Sequence, residues 1–210
     1  MRNLSFLIAT MIVCSSFTSS DETDKKVMMA AQENLSSSLS KIPVGKENQF
    51  GFTGTDEFSK CIIGKPYRLI TLNNAFFTDE ILTSKNYLLE QDEWRVPVMV
   101  NDQNRLLLTV TGQSDIYSVV DLGGMVLAKE LQKKSKDFKS SDTRFILRIY
   151  PLSADFLVKA GSNSLTNAEY IPLTSALMGI DGINSNAKPE YSLSEVLQLI
   201  KQELKNHPKN

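Results

Sequence analysis

The sequence is poor in the side chains that most often carry catalysis and metal binding. Its 210 residues include one histidine, His207, and two cysteines, Cys14 and Cys61. Zinc sites are built mainly from histidine and cysteine ligands, so we expect no metal and no other cofactor. A Ser-His-Asp triad is also disfavoured, because the histidine stands near the C-terminal end, directly before Pro208. We therefore predict no catalytic residue.

An excess of charge of one sign is also lacking. The chain has 23 Lys and Arg against 24 Asp and Glu, a formal net charge of −1. Proteins that bind nucleic acid neutralise several phosphates with basic side chains, so we expect no nucleic-acid partner. The acidic clusters lack the Asp-x-Asp-x-Asp-Gly spacing of a calcium loop. We interpret them as solvated surface.

Local motifs of known active sites are missing as well. Gly64-Lys65 is followed by Pro66 instead of the Ser or Thr of a phosphate-binding loop. No Gly-x-Ser-x-Gly elbow occurs. The segment 121–124 leads from a predicted strand into a predicted helix, where free amides could hold an anion, but its two glycines favour a simple tight turn. A carboxylate pair or a Ser-Lys pair stays open, since sequence does not reveal which side chains converge.

The N-terminal twenty residues are the most informative segment. A positively charged start at 1–3 precedes a mostly apolar run over 4–13 and the small residues of 14–20. This order is typical of a secretory signal, and the run is shorter than the roughly 20 apolar residues of a membrane span. We predict residues 1–20 as a signal peptide and 21–210 as one α+β domain. The mature form is then secreted or periplasmic, without a transmembrane span.

Cys14 offers a second way of processing this segment. A cysteine after the apolar run can be lipidated in bacterial lipoproteins, but Met11 and Val13 depart from the usual residues before it. Cleavage before Asp21 is therefore favoured, and a lipid anchor at the cell envelope is the alternative. By either route Cys61 is the single thiol of the mature domain, which excludes an internal disulfide. Its apolar neighbours favour a buried thiol over a nucleophile.

Hydrophobic periodicity predicts a mixed fold. Helical spacing of apolar residues occurs at 28–42, 125–138 and 192–206. Strand patterns occur at 67–72, 94–100, 105–111, 116–122 and 144–150, with weaker strand candidates at 156–158 and 170–178. We predict an α+β fold with an antiparallel sheet built around a three-strand meander at about 94–122. The N-terminal, middle and C-terminal helices then cover one sheet face, and the other face is partly open.

Aromatic side chains supply the candidate binding residues. Phe52, Phe76 and Phe77 stand in predicted loops, where apolar side chains either form a contact surface or cover an end of the core. Trp94 opens a strand and alternates with Val96, which favours the core over an exposed binding patch.

These observations favour an exported, non-enzymatic binding or interaction module of the bacterial cell envelope or exterior. Its partner is an unknown protein or small-molecule ligand. One alternative is an inhibitor or prodomain-like partner of a secreted protease, for which an open sheet edge is suited. Another is a hydrolase with a carboxylate or Ser-Lys site.

Overall fold

The computed structural model describes residues 20–83, 86–139, 141–161, 164–184 and 187–207. Cys14 and the rest of the predicted signal peptide up to residue 19 lie outside the described residues. The helices and strands follow one another as α1 (Ser20–Leu39), β1 (Ile62–Ile63), β2 (Tyr67–Leu72), α2 (Asn74–Thr78), β3 (Leu88–Val100), β4 (Gln103–Gln113), β5 (Ile116–Gly123), α3 (Met125–Lys134), β6 (Thr143–Ile149), β7 (Ala154–Ala160), β8 (Glu169–Pro172), α4 (Thr174–Gly179) and α5 (Leu193–Asn206). Short 3₁₀ turns cover Glu47–Phe50, Thr55–Lys60 and Tyr150–Leu152.

Within the described residues the strands form one eight-stranded sheet with the order β5-β4-β3-β2-β6-β7-β8, and β1 pairs with β3. The predicted meander is β3–β4–β5, so the α+β fold and its central motif are confirmed. Strands β2 and β6 are parallel, whereas the other pairs are antiparallel. A parallel pair needs a long crossover, and the meander together with α3 supplies it.

Cross-strand pairing shows which side chains share a face of the sheet. Arg68 on β2 is paired with Trp94 on β3 and with Phe145 on β6, so these three side chains lie on one face. On this face α1 packs over Trp94 and its neighbours on β3 and β4, and α5 packs over the apolar residues of β2, β6 and β7. We call it the α1/α5 face.

The opposite face is covered in part by α3, which corrects the expectation that all helices pack on one side. Tyr67, Leu69 and Ile146 are buried on this face, together with Ala128 and Leu131 of α3. Strands β2 and β6 lie in the middle of the sheet and carry apolar residues on both faces, so both faces need cover. If all helices packed on one face, the apolar side chains on the other face of β2 and β6 would be exposed to water.

Two other expectations change in detail. The weak strand candidate 170–178 is a strand only as far as Pro172, and Thr174–Gly179 is a helix. A short apolar run does not distinguish strand from helix by its periodicity. The last predicted helix is confirmed as α5, with the Ser192 side chain accepting from the Glu195 N–H and the Glu195 carboxylate accepting from the Ser192 N–H.

Candidate functional site

A groove of about 520 Å³ opens on the α1/α5 face. Its floor is formed by Arg68, Trp94 and Phe145, and its walls come from the first turns of α1 and from the β4–β5 hairpin around Ser114. Trp94 belongs to the apolar cluster under α1, and Phe145 belongs to the cluster under α5. The groove therefore lies where these two clusters meet.

An irregularity in β3 shapes the groove. Arg68 pairs with Trp94 and Ile70 pairs with Glu90, so that Leu69 alone faces residues 91–93. Extra residues in one strand of an antiparallel pair bend that strand and increase its twist. The Nε of Arg68 donates to the carbonyl oxygen of Gln91 at 3.2 Å inside this bulge. The arginine thus stabilises the bulge, whose residues Glu90 and Asp92 line the groove.

The guanidinium of Arg68 is fixed from several sides. It donates to the carboxylate of Glu90, and its Nη2 lies 3.4 Å from Oδ1 of Asp92. Its Cζ lies 5.4 Å from the centroid of the Trp94 ring, within the range of a cation–π contact. The floor of the groove is therefore a charged group held against an aromatic face.

Trp94 and Tyr117 form the aromatic part of the site. Their ring centroids are 5.5 Å apart and their planes meet at 71°. Gly112 makes this contact possible, because an added Cβ would lie 2.9 Å from Cε1 of Tyr117 and 3.2 Å from Cζ3 of Trp94. The Nε1 of Trp94 is buried and has no hydrogen-bond partner among the described residues. Buried indole N–H groups usually have one, so this donor is left unsatisfied.

Acidic side chains dominate the charge of the groove. The charged residues that line it are Arg68 and the acids Asp24, Glu90, Asp92 and Asp115. Lys26 on α1 lies beside the groove, with Nζ 3.5 Å from Oδ1 of Asp115. This carboxylate is the largest cause of a raised pKa of Lys26. The lining carries more negative than positive charge.

The structure separates the predicted binding aromatics. Of the two interpretations of the predicted loop aromatics, a core position applies to Phe52 and Phe76, whose exposed fractions are 2% and 0%. Phe76 and Phe77 lie in the short helix α2 and not in a loop. Phe52 packs edge-on against Phe58 in the cluster under α1, whereas Phe76 lies in the cluster under α5. Phe77 is 41% exposed, so the three do not form one contact surface. Phe52 and Phe76 thus extend the apolar clusters, and a binding role for the three aromatics stays a prediction.

Trp94 is 1% exposed, which confirms the favoured core position. It also reaches the floor of the groove, so burial and a place at the candidate site are compatible. Its part in ligand binding stays a prediction. Arg68, Glu90 and Asp115 were missed by sequence reasoning, because they lie on β2, on β3 and in the β4–β5 turn and share no local motif.

Cys61 is not poised as a nucleophile. Its Sγ lies 3.4 Å from the carbonyl oxygen of Glu57. Burial is the main cause that raises the pKa of the thiol to about 11, and the charge of Glu57 adds to it. A thiol of this kind is protonated at neutral pH, whereas the nucleophile is the thiolate.

The glycine pair after β5 forms a turn. Gly123 and Gly124 have φ values of 156° and 66°, and Gly124 caps α3 without a side-chain hydrogen bond. The two arginines beside this turn already have carboxylate partners. Arg95 lies 2.7 Å from Glu93, and Nε of Arg148 lies 2.8 Å from Asp155. The local charges favour the tight-turn interpretation over an anion site.

Comparison with known proteins gives no match for this chain among family models, curated proteins or solved structures. No helix among the described residues combines the length and the apolar character that crossing a membrane requires.

Proposed function

We propose that this chain is an exported, non-enzymatic binding protein of the bacterial envelope or exterior, and that it holds a small cationic ligand in the groove over Arg68 and Trp94. The proposal of export is supported by the signal-like order of residues 1–20. The observation that carries the proposal of binding is the acidic lining around an aromatic floor. Its volume of about 520 Å³ is within the range of small-molecule sites.

A cationic ligand fits the groove better than an anionic one. Arg68, the cation of the floor, already contacts Glu90, Asp92 and the Gln91 carbonyl, so its donors are largely engaged. An anion would have to displace these partners and would face the remaining carboxylates. An amine gains charge-assisted hydrogen bonds to the same carboxylates, and its apolar stem can lie against Tyr117.

The described side chains favour binding over hydrolysis. Cys61 is protonated at neutral pH because its pKa is raised to about 11. The Nε2 of His207 lies 3.1 Å from the Glu203 carboxylate, and this ring nitrogen is thereby engaged by an acid. A general base has to lie within hydrogen-bond reach of the group that it activates.

Trp94 is the only tryptophan of the chain, so intrinsic tryptophan fluorescence reports on the groove alone. We expect titration with spermine to change its emission in a saturable way, with weaker binding at higher salt because exposed charges are screened. Maltose and glutarate serve as neutral and anionic probes and are expected to cause no saturable change. A response to glutarate that exceeds the response to spermine would contradict the proposed ligand charge.

A matched pair of variants tests the location of the site. Asp115→Asn removes one charge of the lining, and asparagine tolerates the left-handed conformation of this position, where φ is 63°. We expect it to weaken spermine binding about three- to fivefold, the effect of an exposed ion pair. Asp137→Asn, an exposed acid outside the groove lining, is the control and leaves the affinity unchanged. Equal affinities of both variants would place the ligand elsewhere.

Export is tested by the intact mass of the native protein after fractionation. We expect it outside the cytoplasm, with an N-terminus at Asp21 or with a lipidated Cys14. Recovery of the chain in the cytoplasm with residues 1–3 intact would refute export.

A further inference from the structure

Three side chains with metal-binding atoms converge at the C-terminal end of α5. They are Asp181, Glu203 and His207, and one ligand atom of each lies within 4.8 Å of the others. The scarcity of histidine and cysteine predicts no metal site, and the single histidine stands near the chain end. The structure places His207 as the C-cap residue of α5, where its backbone N–H donates to the backbone carbonyl oxygen of Glu203.

Glu203 is the centre of this cluster. It is a carboxylate of 6% exposure in the last turns of a helix whose other buried residues are apolar. Its Oε2 accepts from the backbone N–H of Asp181 at 2.8 Å, and its Oε1 lies 3.1 Å from Nε2 of His207. Burying a charged carboxylate is costly unless it is paired. One of its oxygens is therefore bound by the backbone amide of Asp181, and the other faces the imidazole of His207.

The turn that carries Asp181 is fixed against α5 by packing. Ile180 is 2% exposed and belongs to the cluster under α5. Gly182 has a φ of 85°, and an added Cβ there would lie 3.3 Å from Cδ2 of Leu199 on α5. The close approach of turn and helix brings an acid to within reach of a glutamate 22 positions later.

The spacing of the ligand atoms suits a metal ion. Two atoms that bind an ion at about 2.1 Å lie about 3.0 Å apart at the right angle of an octahedral site and about 3.4 Å apart at the tetrahedral angle of zinc. The 3.1 Å between Oε1 of Glu203 and Nε2 of His207 falls between these two separations. The side chain of Asp181 is exposed and can rotate to close the remaining distance.

Charge at this position also favours a cation. Two carboxylates lie together at the C-terminal end of a helix, where the helix dipole is negative. One imidazole with two carboxylates suits divalent first-row transition ions, whereas magnesium and calcium prefer oxygen ligands only.

We propose that Asp181, Glu203 and His207 bind a divalent first-row transition ion such as Zn²⁺, which fastens the turn at 180–182 to the end of α5. The site has three protein ligands and leaves a position for water. The competing explanation is a plain hydrogen bond between His207 and Glu203 without a metal. The experiment has to distinguish these two.

The full chain has one histidine, so its imidazole resonances in the NMR spectrum are unambiguous if the protein is produced without a histidine tag. We expect Zn²⁺ to shift the Nε2 resonance of His207 at a stoichiometry of one ion per chain, and calorimetry to show one saturable site. Mg²⁺ at the same concentration is expected to produce neither effect. A Cys14→Ser, Cys61→Ser background removes the thiols as alternative ligands.

Two exposed variants keep the fold intact, namely His207→Gln and Asp181→Asn. We expect each to weaken Zn²⁺ binding at least about tenfold, and Zn²⁺ to raise the melting temperature of the parent chain but not of His207→Gln. Asp137→Asn is the control and keeps full affinity. The absence of saturable Zn²⁺ binding, or affinities unchanged in both variants, would overturn the site and leave the plain hydrogen bond.

Discussion

Glu57 is an acid in the 3₁₀ turn Thr55–Lys60 whose side chain is only 10% exposed. Its Oε1 lies 2.8 Å from Nη2 of Arg105 on β4, whose side chain is 15% exposed, and its Oε2 accepts from the Thr53 N–H at 2.7 Å. The pair links an irregular segment to the meander. A buried pair is costly to break, because the remaining partner keeps an uncompensated charge.

We expect Glu57→Ala to lower the free energy of unfolding by about 3 kcal/mol, since it leaves Arg105 buried without its partner. The adjacent Asp56→Ala is the matched control. Asp56 is 76% exposed and lies 3.6 Å from Lys60, so its loss is expected to cost less than about 0.5 kcal/mol. Urea unfolding followed by circular dichroism measures both values. Equal losses in the two variants would show that burial of the Glu57 pair contributes nothing.

At the scale of the elements, α5 has a well-defined start. Ser192 and Glu195 form a capping box, and Lys188 contacts the Glu195 carboxylate. The contact with Lys188 is the largest cause that lowers the pKa of Glu195, followed by the hydrogen bonds from Ser192, and the value falls to about 2. The ordinary pKa of this group is 4.5. The folded state therefore binds this proton less readily than the unfolded chain.

When folding lowers the pKa of a group, its ionised form stabilises the folded state. This stabilisation is fully present above the pKa of the unfolded state and is lost as the pH falls through the pKa of the folded state. We expect the wild-type chain to lose part of its unfolding free energy between about pH 4.5 and pH 2 through Glu195. Glu195→Gln makes this part of the pH profile flatter, whereas Glu190→Gln, an exposed neighbour outside the capping box, leaves it as in the wild type. Denaturant unfolding at a series of pH values measures the slopes, and indistinguishable slopes of wild type and Glu195→Gln would refute the prediction.

The elements that sequence reasoning predicted are those with strong local signals. The alternation of β3 and the capping box of α5 each contain enough residues to define a periodicity or a start. The helices α2 and α4 have five and six residues, too few to show a period. The bulge opposite Leu69 depends on the pairing of β2 with β3, which no local pattern contains. The groove was missed for the same reason, since its lining residues are brought together by strand pairing.

At the scale of the whole molecule, the sheet connects the apolar clusters. Strand β2 pairs with β3 on one side and with β6 on the other, so the half under α1 and the half under α5 share a backbone ladder. The cluster under α3 includes residues of both β4 and β6, which ties the halves together on the opposite face. The single domain predicted at 21–210 is expected to unfold as one unit.

We expect a single cooperative transition in urea, with coincident midpoints for Trp94 fluorescence and far-ultraviolet circular dichroism. Trp94 reports on the half under α1, whereas circular dichroism averages over all helices and strands. Two separated transitions would show that the halves are independent and would contradict a single domain. The same measurement on Glu57→Ala shows whether loss of one internal ion pair destabilises both halves together.

The parallel pairing of β2 with β6 has a consequence for biogenesis. Thr71 on β2 hydrogen-bonds through its Oγ1 to the carbonyl oxygen of Arg148 on β6, which follows 77 positions later. A chain that emerges from its N-terminal end first has therefore made α1 and the whole meander before β2 can receive its second neighbour. Until then one edge of β2 is unprotected, and an unprotected edge is a template for pairing with other chains. A chain of this protein that is still being synthesised thus needs either rapid completion of the sheet or a factor that shields the open edge of β2 at that stage.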